Sequence, residues 1–514
     1  MALIEKNEQA FAKAAADLVF TNPFLPERIE LERKLLGSEF VSASADWNVR
    51  VASQASHPNI DRMQQLVDAL LKQLQKRFNE GVRATPEEVT LYETIVLLAL
   101  YYRHRNRFKE TIADARRHPN ESRPVSFYDE FANDAKDLLG PAGKLQAAGE
   151  LPHIFAIFYQ IRRAFFEIFD NIVGVSRPIV ALRAAVWQSI FSHDMQRYRR
   201  VLFNRTNDIT TLITGPSGTG KELVARAISL SRYIPFDPHK RTFAENYTNL
   251  FLPLNISALS PTLVESELFG HRRGSFTGAI ADRKGWLEEC TGTGTVFLDE
   301  IGELDQRIQV KLLRVLQTRT FQSIGDSKTK TFQGKIIAAT NRNLQKEMAE
   351  GRFRRDFFYR LCSDMITTPK LHEQLQDTPD QLHMLTRFIA DRFVGEEEAE
   401  SVTKEVVQWI ESNLGMNYEW PGNVRELEQC VLNIIMHSEY RPVATPTNSP
   451  GDQLTAAVTT GDMKIDDLLS HYCTMVYAQT RSYEQAAQRL GVDRRTVKSR
   501  VDEELLKKLN GSAT

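Results

Sequence analysis

A glycine-rich segment with the spacing of a phosphate-binding loop lies in the stretch TLITGPSGTGKELVARAI. The pattern G-x-x-x-x-G-K runs from Gly215 to Lys221, between an apolar run and a helical pattern. Glycines let backbone N–H groups close around phosphate oxygens, and the N-terminus of the following helix attracts negative charge. We therefore predict a nucleotide site here. Its predicted residues are Gly215, Pro216, Ser217, Gly218, Thr219, Gly220, Lys221 and Glu222.

Two further apolar runs end in polar residues that could complete such a site. The run TVFLDE ends in Asp299 and Glu300, and KIIAATN ends in Thr340 and Asn341. In a parallel sheet, the carboxyl ends of the strands meet at the crevice where ligands bind. Asp299 can order Mg²⁺ there, and Glu300 is a candidate base for an attacking water. The Thr–Asn pair could sense a γ-phosphate.

Four arginines follow in GRFRRDFFYRL, residues 351–361. A planar guanidinium suits the charge that develops on a transferring phosphoryl group. The alternative is a solvated basic helix face, and spacing alone does not separate the two interpretations.

The surrounding elements predict a multidomain chain that is helical at both ends and α/β in the middle. Between residues 171 and 370, short apolar runs alternate with helical segments, which indicates a parallel sheet. In the N-terminal part, apolar side chains recur at helical spacing. Its aromatic stripes could line a ligand pocket, but we expect plain core. The predicted segments are a helical N-terminal regulatory domain (1–170), an α/β core (171–370), a helical lid (371–440), a flexible linker (441–462) and a small helical unit (463–514).

Composition narrows the classes of protein to which the chain can belong. The four cysteines lie far apart among 514 residues without metal-ligand spacing, which disfavours a disulfide framework and fits a reducing cytoplasm. No apolar run reaches the roughly 18 residues that a membrane span needs, and the N-terminus lacks a signal-peptide pattern. Because the formal net charge is -1, any contact with nucleic acid requires a local basic patch.

Taken together, the motifs resemble the AAA+ ATPase domain of bacterial enhancer-binding proteins, which activate sigma-54 RNA polymerase. The resemblance covers about 170–440 and includes GPSGTGKE, ESELFGHRRGSFTGA, GTVFLDEIGEL, IIAATNRNL, FRRDFFYRL and WPGNVRELEQ. The family commonly has glutamate at the position of Glu222, where the general motif has Ser or Thr. The resemblance implies ATP and Mg²⁺ as ligands.

The resemblance also assigns roles to individual residues. It implies that Lys221 binds phosphate, that Asp299 and Glu300 are the Walker B acids, and that Asn255 holds the second acid until a signal releases it. The remaining matches are Thr340 and Asn341 as sensor I, Arg354 and Arg360 as arginine fingers, and Arg425 as sensor II in the lid. Fingers that complete the site of an adjacent subunit imply a homo-oligomeric ring, such as a hexamer.

A basic, glycine-flanked loop carries a lone phenylalanine in HRRGSFTGAIADRKG. Such a ring is either tucked into the core or held out for a partner. The segment looks like the family's GAFTGA loop, with Ser275 in place of Ala, and the resemblance implies contact with sigma-54. The implied contact residues are Gly274, Ser275, Phe276, Thr277, Gly278 and Ala279.

Three segments depart from the family's pattern. The stretch TPKLHEQ, residues 368–374, stands where the family usually has a PPLRER-like sequence between core and lid. Residues 192–209 and 231–255 look longer than the usual connections, and both are basic and aromatic. These two extra segments could be subunit contacts or decorated surface, and we slightly favour surface.

The C-terminal stretch RSYEQAAQRLGVDRRTVKSRVDEEL resembles a Fis-type helix-turn-helix. Gly491 would make the turn, and Asp493 could cap the second helix. Residues 481–514 contain eight Lys and Arg against five Asp and Glu, which provides the local basic patch. The predicted contacts with double-stranded DNA, on an enhancer-like dyad site, are Arg494, Arg495, Thr496, Lys498 and Arg500.

These features predict an ATP-hydrolysing activator that binds enhancer-like DNA and remodels sigma-54 polymerase to open promoters. The alternative is a nucleotide-controlled DNA-binding regulator that does not contact sigma-54. The N-terminal domain does not look like a receiver, GAF or PAS domain. We hypothesise that it controls ring assembly through a helical interface.

Overall fold

The computed structural model describes residues 2–42, 58–140, 150–442, 463–503 and 505–506. Contacts divide the chain into two compact units, Met1–Ser438 and Glu439–Thr514. The predicted linker, 441–462, lies almost entirely outside the described residues. Among the helices of the described residues, none is long and apolar enough to cross a bilayer.

Helices α1 to α7 precede the sheet, as the sequence predicts for the N-terminal region. Helix α4 starts with a capping box, in which Thr85 Oγ1 accepts from the Glu88 N–H at 3.2 Å and the Glu88 carboxylate accepts from the Thr85 N–H at 2.9 Å. These helices are α1 (Lys6–Phe20), α2 (Pro26–Leu36), α3 (Pro58–Asn79), α4 (Pro86–Arg117), α5 (Tyr128–Leu139), α6 (Leu151–Asn171) and α7 (Arg177–Phe191).

The aromatic stripes of these helices form core, as expected. Phe108, Phe131 and Phe155 are fully buried. The ring of Phe155 lies 4.9 Å from that of Phe108 and 5.0 Å from that of Phe131. These three rings fill the space between α4, α5 and α6.

The central part is a parallel α/β sheet, which confirms the predicted core. Within the described residues the strand order is β4-β5-β8-β1-β9, and every neighbouring pair is parallel. The strands are β1 (Thr211–Thr214), β4 (Phe251–Asn255), β5 (Thr295–Asp299), β8 (Lys335–Thr340) and β9 (Asp364–Thr367); the antiparallel pairs β2 (Phe236–Asp237) with β3 (Thr242–Phe243) and β6 (Thr320–Phe321) with β7 (Lys330–Thr331) lie outside this sheet.

Helices cover the sheet and continue beyond it to the end of the first unit. Those that follow the strands are α8 (Lys221–Leu230), α9 (Pro261–Phe269), α10 (Trp286–Glu289), α11 (Gln306–Thr318), α12 (Leu344–Ala349) and α13 (Arg355–Leu361). The segment predicted as the lid contains α14 (Leu371–Asp377), α15 (Asp380–Val394), α16 (Glu396–Asn413) and α17 (Asn423–His437). The second unit contains α18 (Ile465–Thr480), α19 (Tyr483–Leu490) and α20 (Arg494–Arg500).

The two faces of the sheet belong to two different hydrophobic clusters, because successive side chains of a strand point to opposite sides. Leu212, Ile336 and Ala338 pack with the helices and loops that follow the P-loop segment. Ile213 and Ile337 pack on the other face, in a cluster that also contains the buried residues of α1 to α7. The predicted boundary near residue 170 stays a prediction, but structurally the segments on its two sides share one core.

Both segments that differ from the family contribute buried residues to this shared core, so decorated surface does not describe them fully. Contact of these segments with another subunit stays a hypothesis. In residues 231–255, the buried Phe243 ring stacks on Tyr159 of α6 at 4.0 Å. In residues 192–209, the buried Tyr198 hydroxyl accepts from Gln160 Nε2 at 2.7 Å. The extra residues therefore attach the N-terminal helices to the sheet within one chain.

Candidate phosphate-binding site, effector loop and basic helix

The predicted phosphate loop connects β1 to α8 in the conformation that such a loop needs. Gly218 and Gly220 adopt φ values of 78° and 86°, in the left-handed region that glycine tolerates best. Lys221 begins α8 and is 7% exposed; its Nζ donates to the carbonyls of Gly215 and Pro216, both at 3.0 Å. Lys221 can exchange these acceptors for phosphate oxygens.

Two opposing effects act on the pKa of Lys221. Burial lowers the pKa of the Lys221 ammonium, and the nearby carboxylates of Glu300 and Asp299 counteract that shift. The structure therefore brings the lysine and both acids into one electrostatic neighbourhood, as the sequence predicted. Such a site attracts an anion through the lysine and a cation through the acids.

The acids stand at the carboxyl end of β5. Glu300 has φ 54° and ψ 48°, a strained conformation for a residue with a side chain. Its Oε2 accepts from the backbone N–H of Asn341 at 3.2 Å, which links the second acid to the predicted sensor at the end of β8. Asp299 Oδ1 accepts from the Glu300 N–H at 3.0 Å, and Thr340 is fully buried beside these residues at the strand end.

Asn255 lies next to the acids without being bonded to them. It pairs in register with Asp299 across β4 and β5. Its Oδ1 accepts from the N–H of Ser257 at 3.0 Å and from the Ser257 hydroxyl at 2.7 Å. Within the described residues, the asparagine caps the turn after its own strand, and Glu300 contacts sensor I instead. Its role as a switch stays a prediction.

The lid closes over the phosphate loop. The Val424 N–H donates to the Gly218 carbonyl at 3.0 Å, and Arg425 Nη1 donates to the Ser217 hydroxyl at 3.3 Å. The predicted sensor II arginine therefore lies at the loop. Asn423 does too: its Nδ2 donates to the Ser217 carbonyl at 3.0 Å.

Sequence reasoning missed two residues of this closure, Asn423 and Thr368. The Thr368 hydroxyl lies 2.6 Å from that of Thr219, and Thr368 is buried. Asn423 lies within the motif WPGNVREL. Thr368 is the first residue of TPKLHEQ, the stretch that departs from the family's pattern. A polar residue at the end of the last parallel strand was the available signal for Thr368.

The predicted arginine fingers lie apart from these groups. Arg354 pairs with Asp356 at 2.7 Å, and the side chain of Arg354 is 43% exposed. Arg360, in the last turn of α13, is exposed. Among the described residues, neither arginine donates to the phosphate loop or to the acids of its own chain.

The glycine-flanked loop is a closed turn. The Gly274 N–H donates to the Ala279 carbonyl at 2.8 Å, and the Phe276 ring lies 4.9 Å from the ring of His271. Phe276 is thus half-buried rather than held out, while Thr277 is exposed and Ile280 is 86% exposed. The buried Ser275 hydroxyl has no hydrogen-bond partner among the described residues. Replacing this serine with the alanine of the family's loop would therefore remove no hydrogen bond.

The second unit presents a basic helix. The Asp493 carboxylate caps α20 by accepting from the Arg495 N–H at 2.7 Å, as predicted from the sequence. Arg495 and Lys498 are exposed. Arg500 instead pairs with Asp466 of α18 at 2.7 Å. Thr496 is exposed, and Arg494 pairs with Glu484 at 3.1 Å, so four of the five predicted contacts remain accessible on one short helix.

A parallel sheet with a phosphate loop, strand-end acids and a helical lid over the loop defines the class of AAA+ nucleotide-binding domains. The model of the Sigma-54 interaction domain family matches residues 190–367. The segment that carries the strand-end acids, the phosphate loop and the glycine-flanked loop therefore belongs to the Sigma-54 interaction domain family.

Curated relatives resemble the same part of the chain. A Nif-specific regulatory protein of Herbaspirillum seropedicae is 40% identical over 263 residues, which is 51% of this chain and 42% of that protein. The transcriptional regulatory protein ZraR of Klebsiella oxytoca is 37% identical over 319 residues, 59% of this chain and 66% of that protein. The chain spans about half the length of the curated relatives that it matches first.

Among solved structures, NtrX from Brucella abortus is 23% identical, with a TM-score of 0.38, over 74% of this chain and 80% of that one.

Two glycines of the phosphate loop provide a matched pair of substitutions. A Cβ on Gly218 would lie 2.2 Å from the Gly422 carbonyl oxygen, whereas the nearest atom to a Cβ on Gly220 lies at 3.7 Å. Both Gly→Ala changes carry the left-handed penalty of about 1 kcal/mol, and Gly218→Ala adds overpacking of about 1–3 kcal/mol. Urea unfolding should therefore show a larger loss for Gly218→Ala. Equal losses would contradict the closure of the lid over the loop.

Proposed function

We propose that this chain is an ATP-hydrolysing transcription activator that binds enhancer-like DNA and remodels sigma-54 RNA polymerase to open promoters. The observation that carries the proposal is the neighbourhood of Lys221, in which one buried ammonium is influenced by Asp299 and Glu300 at the mouth of a glycine loop. An anion-binding loop, a magnesium ligand and a base at one strand edge are the parts that nucleotide hydrolysis requires.

ATP with Mg²⁺ fits the residues at this edge. The loop is shaped so that a side chain at Gly218 would collide with the lid, and Lys221 presents three donors to phosphate oxygens. Among the described residues, there is no group of three or more His, Cys, Asp and Glu that could hold a metal ion. Asp299 would therefore hold Mg²⁺ together with phosphate oxygens, as is usual for this ion. The bound ion would neutralise part of the negative charge on the phosphates.

Hydrolysis then depends on Glu300 and on groups from other elements. Glu300 accepts the proton of the attacking water as a general base. Its contact with the Asn341 N–H orients the carboxylate and couples it to sensor I. Arg354 and Arg360, which are exposed, are available to complete the site of a neighbouring subunit in a homo-oligomeric ring, hexameric in our proposal.

The glycine-flanked loop transmits the nucleotide state to sigma-54. Its position within the matched family domain supports this role. Thr277 and Ile280 offer exposed contact area, while Phe276 can leave His271 because glycines flank the loop at Gly274 and Gly278. The rival function, a nucleotide-controlled regulator without sigma-54 contact, shares the ATP site but needs no such loop.

The first test is capture of purified sigma-54 by the full chain in the presence of ADP and aluminium fluoride. We expect capture by the wild type and loss of capture by Thr277→Ala, because this exposed side chain lies on the contact loop. Thr262→Ala, which alters another exposed threonine, should capture normally. A chain that hydrolyses ATP but captures no sigma-54 would favour the rival function.

The catalytic role of Glu300 is tested by Glu300→Gln. Losing the general base should lower the rate of ATP hydrolysis about 100-fold or more, with unchanged ATP affinity measured by titration. Glu303→Gln is the control, since Glu303 lies one turn later and pairs with Arg342 outside the site. A hydrolysis rate that survives in Glu300→Gln would remove this residue from the mechanism.

Binding of DNA is tested by two arginines of α20. Arg495 is exposed, whereas Arg500 is bonded to Asp466. Arg495→Ala should weaken binding to double-stranded DNA. The slope of log Kd against the logarithm of the salt concentration should fall by about one, which corresponds to one lost phosphate contact. Arg500→Ala should have the smaller effect. The reverse order, in a fluorescence titration at several salt concentrations, would show that α20 does not face the DNA as proposed.

A further inference from the structure

The C-terminal end of α8, the helix that starts at the phosphate-binding lysine, is held by the N-terminal region. Arg163 Nη1 donates to the Leu230 carbonyl at 3.0 Å, and Arg163 Nη2 donates to the Arg232 carbonyl. Between them, the Ser231 carbonyl accepts from Gln160 Nε2 at 3.0 Å. Three consecutive carbonyls at the end of this helix are thus bonded by two side chains of α6.

These bonds satisfy groups that every helix leaves open. The last carbonyls of an α-helix have no partner within the helix, and a cation near them interacts favourably with the helix dipole. Gln160 and Arg163 are three residues apart, so they lie on the same face of α6. Both side chains are fully buried. Water therefore does not reach these bonds while α6 stays in this position.

Within the described residues, no carboxylate forms an ion pair with Arg163. Its guanidinium lies over the rings of Tyr159 and Tyr247, at 4.8 and 5.1 Å. Glu167, on the next turn of α6, pairs instead with Arg116 at 2.7 Å. Burying a charge is costly unless its donors are used. The helix end accepts from both Nη atoms, whereas Nε has no hydrogen-bond partner among the described residues. The contact between α6 and α8 therefore depends on the two Nη bonds.

The position of α8 matters for the phosphate site. The helix has ten residues and is therefore about 15 Å long. Its N-terminal end carries Lys221 and follows the loop that bonds to the lid through Gly218. A rigid element of this length transmits a shift or rotation at one end to the other. The N-terminal helices can therefore act on the phosphate loop from its far side.

We propose that Arg163, with Gln160, is a positioning residue for the nucleotide site, and that the N-terminal helices set ATP affinity through this contact with the end of α8. The proposal rests on the proposed ATP binding. The partner of the N-terminal region is thus the P-loop helix of its own chain. A signal that tilts α6 would be enough for this region to regulate ATP affinity.

A plain stability role is the alternative, and a second buried arginine separates the two. Arg105 is 8% exposed and pairs with Asp61 of α3. Both residues of this ion pair belong to the N-terminal helices. Arg105→Met and Arg163→Met therefore both remove a buried guanidinium, but only the second removes bonds to α8.

The experiment compares Arg163→Met, Arg163→Lys and Arg105→Met in the full chain. ATP binding is measured by titration with a fluorescent ATP analogue, stability by thermal unfolding, and the state of α8 by hydrogen exchange of the nucleotide-free protein. We expect Arg163→Met to raise the Kd about tenfold and to speed exchange in the last turn of α8. Arg163→Lys, which can still donate to one carbonyl, should lie between Arg163→Met and the wild type. Arg105→Met should lower the thermal midpoint without changing the Kd.

Two results would overturn the proposal: an unchanged Kd in Arg163→Met, or a Kd raised equally by Arg105→Met. If Arg163→Met does not fold, Arg163→Lys and Gln160→Leu are read by the same criteria. If the wild type does not bind the analogue, the proposed function fails. Hydrogen exchange of the nucleotide-free protein would then still test the contact, because exchange of α8 that is unaffected by Arg163→Met would refute it.

Discussion

A parallel sheet is apolar on both faces, and both faces must be covered before a site at its edge can keep its shape. In this chain the two faces are covered by different parts of the sequence. One side is covered by elements that follow the phosphate loop, and the other by a cluster shared with the N-terminal helices. Everything described at the carboxyl edge, from Lys221 to Asn341, depends on this cover. The N-terminal region is thus structural as well as, in our proposal, regulatory.

The site itself is held from three directions. The strand ends present Asp299, Glu300 and Asn341, the lid reaches the loop through Asn423 and Arg425, and α8 places Lys221. The strand-end contact and the lid contacts join elements that are far apart in sequence. A change in one of them therefore alters the charge balance around Lys221, where a lysine and two carboxylates influence one another.

Local chemistry explains how much of this was predictable. The phosphate loop, the acids and the capping boxes depend on residues close together in sequence, so spacing alone indicates them. The parallel sheet follows from the alternation of apolar runs and helical patterns. Asn255, by contrast, matched a family position, yet its side chain bonds to Ser257, since a turn two residues away offers it a nearer partner. Residue type and position do not determine which of several partners a polar side chain takes.

The contacts of the N-terminal helices were not predictable for a different reason. Helical periodicity shows that α6 has a buried face, but not what it faces. The same is true of residues 192–209 and 231–255, whose aromatic residues indicate burial somewhere. The two segments pack against α6: Tyr198 bonds to Gln160, and Phe243 stacks on Tyr159. Thr368 stands in a stretch that differs from the family's pattern, so its contact with the phosphate loop becomes evident only from its place at the end of β9.

The shared core also has a consequence for the synthesis of the chain. The ribosome releases α6 before it releases α8 and the β2–β3 pair, which cover its apolar side. Until about residue 250 has emerged, the part of α6 that packs on later residues, such as Tyr159 on Phe243, stays uncovered, and exposed apolar surface of this kind favours aggregation. The first half of the molecule cannot finish folding early and wait for the second. Its maturation is a late event, completed when the parallel sheet forms against it.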